Sequence, residues 1–306
     1  MIYTVTTNPG IDYYMNLRTP MAVGGINRSA HELLVPGGKG INVSLMLQTL
    51  GKPSCILGYL AGPTGMLLES LMAETGCACR WFWLTSGKTR INVKINTAPE
   101  TAFNAAGPAL DEKAVLELCA FLRTLHPDDL LVVSGNLQTC PDGTFSAILA
   151  AAKQTGVSTI VDTSGPPLRE ALSFRPLLIK PNVDELRELF DAPAETLAQI
   201  IALARQAQAL GARNVLISLG ADGALLLCET GAIYRGKLCA TQPVISTVGA
   251  GDSVTAGFLS GFLDTGDYAA ALRLGVACGS ATAYSPGLAE RGKIDEVLQT
   301  VTVTTL

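Results

Sequence analysis

No run of the chain approaches the roughly 18–20 consecutive apolar residues that a membrane-spanning helix requires, although 48% of its 306 residues are hydrophobic. Nor does the start, MIYTVTTNPGID, carry the basic opening and apolar core of an export signal; it reads as a strand running into a loop. A cytoplasmic protein with no membrane partner is therefore the expectation. Cations are not in excess: 22 Lys and Arg, scattered along the chain, stand against 26 Asp and Glu, for a net charge of −4. That balance argues against nucleic acid as the partner. Histidine is scarce too. His31 and His126 sit near no cysteine, and the eight cysteines never form a Cys-x-x-Cys pair. Zinc-ligand spacing is missing, and reduced thiols in apolar surroundings are the reading.

Familiar nucleotide and nucleophile signatures are absent as well. Gly87-Lys88-Thr89 resembles the end of a Walker A loop, but Phe82 occupies the required earlier glycine position. Neither glycine cluster completes GxGxxG, because Val43 and Val254 stand at the third position. A nucleophile elbow fails at Thr255.

What is present alternates. Short apolar runs at Ile2–Thr6, Cys55–Tyr59, Leu130–Ser134, Thr159–Asp162, Leu177–Lys180 and Val215–Leu219 predict strands, with amphipathic helical runs such as Thr196–Leu210 between them. Near-continuous apolar strands separated by helices predict an α/β domain with a parallel sheet covered on both faces. Its sites belong at the carboxyl ends of the strands. Two segments, about 12–35 and 88–105, alternate apolar with polar residues: Arg90, Asn92, Lys94 and Asn96 on one face, Ile91, Val93 and Ile95 on the other. They predict a small antiparallel lid on a single domain spanning 1–306. The last 40 residues read as helical, at Tyr268–Tyr284 and Asp295–Val301.

Five motifs carry chemistry. STVGAGDSVTAGF, residues 246–258, sets Gly249, Ala250 and Gly251 ahead of Asp252 and an apolar helical run. A helix start accounts for the acid, but glycines just before a helix also let amides converge on an anion. PGGKGIN, residues 36–42, places Gly37, Gly38, Lys39 and Asn42 ahead of another helix; a tight loop with a solvated lysine is the plain alternative. NPGID ends the first strand with Asp12, which could equally be a turn residue. In KPNVDEL, Asn182 and Glu185 match a capping box, and they could also help hold a hydrated magnesium beside phosphates. SLGADGAL, residues 218–225, adds a glycine turn after a strand.

Together these motifs resemble the ribokinase-like, or PfkB-type, carbohydrate kinases over essentially the whole chain. PGGKGIN and STVGAGDSVTAGF are similar to that family's two signatures, with VVSGNL, IVDTSG, KPNVDEL and SLGADGA between them in order. The resemblance implies a three-layer α/β sandwich with a β lid and ATP-dependent phosphorylation of a sugar phosphate with Mg2+. It implies that Asp252 accepts the hydroxyl proton while the Gly249, Ala250 and Gly251 amides hold the moving phosphoryl group. Carried over by motif, Asp12, Gly37, Gly38 and Asn42 would bind the sugar. Arg90, Lys39 and, more weakly, Arg28 would grip the phosphate already on it, and Asn136 stands where the family's SGSLP pattern is broken. Lys180, Asn182, Ser218, Leu219, Gly220, Ala221, Asp222 and Gly223 would wrap the nucleotide. Glu185 would support Mg2+, and Ser246, Val248, Ser285 and Gly287 match positions that hold K+ in some relatives. Within the family, NPGID, GKTRINVKI and Lys39 are most similar to the fructose 1-phosphate kinases, then to tagatose 6-phosphate kinases. A catalytically silent sugar-phosphate sensor remains the rival from another class. Pairing through the lid, as in many relatives, implies a homodimer, since an isolated small sheet has an apolar face and open edges to cover.

Overall fold

The computed structural model describes residues 1–96, 101–135 and 139–306; Asn136 lies outside them. The chain begins with β1 (Ile2–Thr6), then crosses into a lid made by β2 (Gly10–Leu17) and β3 (Ser29–Gly37). It returns through α1 (Lys39–Thr49), β4 (Ser54–Leu60), α2 (Gly62–Thr75) and β5 (Ala78–Trp83), and completes the lid with β6 (Arg90–Asn96) and β7 (Thr101–Phe103). A regular alternation follows: α3 (Glu112–Leu122), β8 (Leu130–Ser134), α4 (Thr144–Thr155), β9 (Ser158–Asp162), α5 (Pro166–Leu172) and β10 (Leu178–Ile179). After α6 (Val183–Phe190) and α7 (Leu197–Leu210) come β11 (Asn214–Ser218), β12 (Ala224–Leu227) and β13 (Ile233–Leu238). The chain closes with α8 (Ala250–Thr265), α9 (Tyr268–Ala283), α10 (Arg291–Leu298) and β14 (Val301–Thr305).

Ten strands form one sheet in the order β14-β13-β12-β11-β10-β9-β8-β1-β4-β5. Pairing from β11 to β5 is parallel, and the β11–β14 end is antiparallel. Alternate residues of each central strand feed opposite faces. Val133, Val161 and Ile217 join a core with Leu118, Phe145 and Leu203, whereas Val132, Ile160 and Leu216 join one with Met46, Phe258 and Val276. Helices cover both faces, which is why these strands read as unbroken apolar runs.

The tail differs from expectation. The last helix ends at Leu298, and VTVTT becomes β14, paired antiparallel with β13. Alternating β-branched residues favour a strand there. The lid is antiparallel at β2·β3 and β6·β7, whereas β2 and β6 run parallel. Its polar face is also the covered one: Asn92 and Lys94 are buried, while Ile91, Val93 and Ile95 are half-buried.

Candidate active site

Thr6, Ser134, Asp162 and Ser218 end β1, β8, β9 and β11, so the sheet presents them at one edge, with Lys180 just beyond β10. The N-terminus of α8 arrives at this edge. Gly249, at φ 77°, makes the turn before it, and a β-carbon there would lie 2.7 Å from Leu288; only glycine suits both the angle and the space. Asp252 follows in the first turn, only 6% exposed. Asn42 of α1 donates a hydrogen bond of 2.7 Å to its Oδ2. Burial, then the negative charge of Asp162, push the Asp252 carboxyl up to about 6, against the Asn42 hydrogen bond and the positive charges of Lys39 and Lys180. A free aspartate at about 3.9 would have needed no such tuning. Burial thus holds this carboxyl above the ordinary aspartate value, the direction a proton acceptor near neutrality needs.

Asp162 holds the cations. Its carboxylate lies 3.3 Å from Lys39 Nζ and 3.2 Å from Lys180 Nζ. Burial works against its charge, yet the two lysines keep its pKa below the ordinary value. Lys180 Nζ also stands 3.3 Å from where a Gly251 side chain would begin, so glycine leaves the ammonium room at the mouth of α8. Cations and amides there form a hole for an anion.

A second cluster sits on the lid. Asp12 accepts from Asn92 Nδ2 at 2.8 Å and from Lys94 Nζ at 2.7 Å. Gly37 backs the carboxylate so closely that a β-carbon would lie 2.9 Å from Asp12 Cγ. Arg90 feels the charge of Asp12, and its Nε is buried with no hydrogen-bond partner among the described residues. Gly38 begins α1 against Thr6. The two cations that the resemblance places on one phosphate have different charge partners here. Lys39 belongs with Asp162, Asp252 and Glu185, and Arg90 with Asp12. Arg28 is exposed on the loop leading into β3, its carbonyl accepting from the Arg18 amide at 3.0 Å.

The nucleotide candidates lie on the other side of the sheet edge. Ser218 bridges to Asn182, and its amide donates to the Pro181 carbonyl. Beyond it Leu219 and Gly223 close a turn over the exposed Gly220, Ala221 and Asp222. Asn182 and Glu185 do form a capping box, each side chain accepting from the other's amide at 2.8 Å. The loop bearing Ser246 and Val248 is tied to the end of α9, with the Ser246 amide donating to Ala283, two residues before Ser285. Gly287 is exposed two residues further on.

Residues that sequence reasoning passed over as ligands are Asp162, Asn92 and Lys94. Asp162 ends an apolar strand facing the site, as Asp12 follows one, and that signal could have found it.

A buried carboxyl of raised pKa beside two lysines and a helix N-terminus, at the carboxyl edge of a parallel sheet, fits a phosphotransferase that acts on a hydroxyl group. The model of the pfkB family carbohydrate kinases matches residues 6–293, and the chain belongs to that family. It is 36% identical to 1-phosphofructokinase of Bacillus subtilis strain 168 over 311 residues, covering 100% of both chains. D-tagatose-1-phosphate kinase of Bacillus licheniformis is 34% identical over 309 residues, again covering 100% of both. Among solved structures, phosphofructokinase-2 from Escherichia coli in complex with potassium superposes with a TM-score of 0.89 at 27% identity, over 97% of this chain and 98% of that one.

Proposed function

We propose that this ATP-dependent sugar-phosphate kinase acts on fructose 1-phosphate, placing the terminal phosphoryl group of ATP on the far hydroxymethyl group to give fructose 1,6-bisphosphate. The observation that carries the reading is the division of the site into two charged ends. Asp252, the α8 amides and Lys180 make a reactive end, and Arg90, its buried Nε unpartnered among the described residues, makes an anchoring end beside Asp12. A substrate spanning them carries its phosphate and its reacting hydroxyl at opposite ends. Asp252 removes the hydroxyl proton as the oxygen attacks phosphorus, and the bond to the ADP oxygen breaks. Lys180, Lys39 and the amides of Gly249, Ala250 and Gly251 balance the charge that moves across. Lys39 is assigned to this end rather than to the sugar's own phosphate, a reading that its pairing with Asp162 supports. Asn42 holds Asp252, while Asp12, Gly37 and Gly38 line the sugar. A silent sensor has no use for a buried carboxylate tuned towards neutrality.

Among the described residues no cluster of three or more acidic, histidine or cysteine side chains could hold a metal alone. Magnesium fits nonetheless, because it keeps several waters and takes one or two carboxylates plus substrate phosphates. Glu185 commits Oε2 to its cap, leaving Oε1 for such a contact. When bound there, Mg2+ would shield the nucleotide phosphates. Ser218–Gly223 with Lys180 and Asn182 would take the nucleotide, and Ser246, Val248, Ser285 and Gly287 a potassium ion.

The lid supports a homodimer. Leu34 and Phe103, 37% and 58% exposed, lie on the face that Tyr13 and Val93 share, an apolar surface that a second lid would cover. The cytoplasm is the proposed compartment.

Tagatose 1-phosphate, the C4 epimer, is the second reading, favoured by the similarity to the Bacillus licheniformis enzyme. Comparing kcat/KM for fructose 1-phosphate, fructose 6-phosphate and the tagatose phosphates at equal ATP and Mg2+ tests the choice. Fructose 1-phosphate is expected to lead by at least roughly tenfold, about 1.4 kcal/mol in the transition state; a smaller lead overturns the assignment.

A further inference from the structure

The lid buries an ammonium group that the phosphoryl-transfer chemistry does not use. Lys94 is 6% exposed, and its Nζ donates to Asp12 Oδ2 at 2.7 Å and to the Tyr14 hydroxyl at 3.2 Å, lying 5.0 Å from the centre of the Tyr14 ring. Parallel pairing of β2 with β6 sets Asp12 opposite Asn92 and Tyr14 opposite Lys94, so all four share one face. The Ala105 amide donates to Asn92 Oδ1, which turns Nδ2 towards Asp12 Oδ1. Both carboxylate oxygens are thereby held from the β6 side, while Gly37 closes another side.

A buried ion pair is costly to form and often no more stabilising than apolar packing, so stability alone is a poor reason for this one. What it fixes is direction. A carboxylate offers about four acceptor positions; Asn92 and Lys94 take one on each oxygen, and one on each remains for a ligand hydroxyl.

We infer that Lys94 is a positioning residue for sugar recognition, acting through Asp12 to set which configuration of adjacent hydroxyls the site accepts. The inference rests on the proposed role of Asp12 as acceptor for the sugar hydroxyls. With Asp12 clamped, a hydroxyl of the wrong configuration leaves a buried acceptor unpaired, and that is how polar sites discriminate strongly. With the clamp gone, the carboxylate rotates to follow either epimer. Burial disfavours the Lys94 ammonium, yet the hydrogen bond and charge of Asp12 raise its pKa above the ordinary lysine value, which keeps the clamp charged.

The test is kinetic, on the full-length enzyme, with fructose 1-phosphate and its C4 epimer tagatose 1-phosphate as the paired probes. Lys94→Met is expected to raise the sugar-phosphate KM roughly 10- to 100-fold and to erode the epimer preference by at least about tenfold. The KM for ATP, and kcat at saturation, stay within about threefold of wild type. In an Asp12→Asn background the same substitution changes the preference no further, because the two residues act as one unit. A purely structural lysine would leave the preference intact and raise both KM values, and that result overturns the inference, as do additive effects in the double variant. If Lys94→Met does not fold, Tyr14→Phe removes the hydroxyl that holds the ammonium, and a roughly two- to fivefold loss of preference is expected; no change there overturns the inference equally. Wild-type enzyme that phosphorylates neither sugar would instead bring down the substrate reading itself, and the inference with it.

Discussion

Asn42 and Asp252 stand 210 positions apart in the chain, yet the amide of one donates a 2.7 Å hydrogen bond to the carboxylate of the other. That bond joins the two glycine-rich motifs into one site. It also commits Oδ2 of Asp252 rather than Oδ1, and it stabilises the ionised form that burial and Asp162 oppose.

The acid limb of the rate profile follows from that balance. With Asp252 near pKa 6 in the free enzyme, kcat/KM is expected to fall tenfold per pH unit below about 6. Asp162→Asn removes a like charge and frees Lys39 and Lys180 to favour the ionised base, so the limb moves to lower pH. Initial rates from pH 5 to 8 check this; a limb that stays in place or rises removes Asp162 from the role given to it.

Stability is expected to run against activity at Asp252. A carboxyl raised from 3.8 to about 6 binds protons more tightly in the folded state. Stability is therefore present at low pH and lost as pH rises from about 4 through 6. Asp252→Asn avoids that loss, a gain on the order of 2–3 kcal/mol at pH 7.5 and close to nothing at pH 4. Urea melts at the two pH values measure it, and equal gains at both would contradict the burial argument.

Arg90 and Lys39 are expected to fail differently. Arg90→Ala weakens sugar-phosphate binding roughly 10- to 150-fold, some 1.5–3 kcal/mol, and leaves ATP affinity alone. Lys39→Met lowers kcat and ATP affinity and spares the sugar phosphate. Titration of each variant with each ligand separates them; matching defects would place the two lysine and arginine side chains at one end of the site after all.

The lid dimer predicts that Leu34→Glu with Phe103→Glu, two charges on one face of the lid, gives a monomer by light scattering at tens of micromolar, where wild type is a dimer. Ile91 is a poor probe for this purpose, since it packs against the small core containing Ile11 and Ile41. A wild-type monomer, or a dimer untouched by both charges, refutes the interface.

Much of the architecture was legible because burial on both faces leaves a plain record. Val132, Ile160 and Leu216 feed one core while Val133, Val161 and Ile217 feed the other, so these strands could be placed to within one or two residues. The antiparallel end was not legible in the same way. VTVTT was absorbed into a helical tail, although its alternation of β-branched residues favours a strand.

At the site, the glycines and Asp252 were visible as local patterns, but charge partners were not. Lys39 meets Asp162 across 123 positions, and Lys94 meets Asp12 across 82. Neither pairing leaves a mark on spacing, because the parallel sheet and the β2·β6 register create it. The resemblance grouped Lys39 with Arg90 at the sugar's own phosphate; in the fold Lys39 pairs with Asp162, and Arg90 feels the charge of Asp12.

The most direct measurement is single-turnover phosphoryl transfer to fructose 1-phosphate by Asp252→Asn beside wild type, with ATP, Mg2+ and sugar phosphate all saturating. If Asp252 is the base, the rate constant drops by about 10²–10⁴ while both ligands bind within a few-fold of wild type. A variant that retains more than about a tenth of the wild-type rate contradicts the mechanism at its centre.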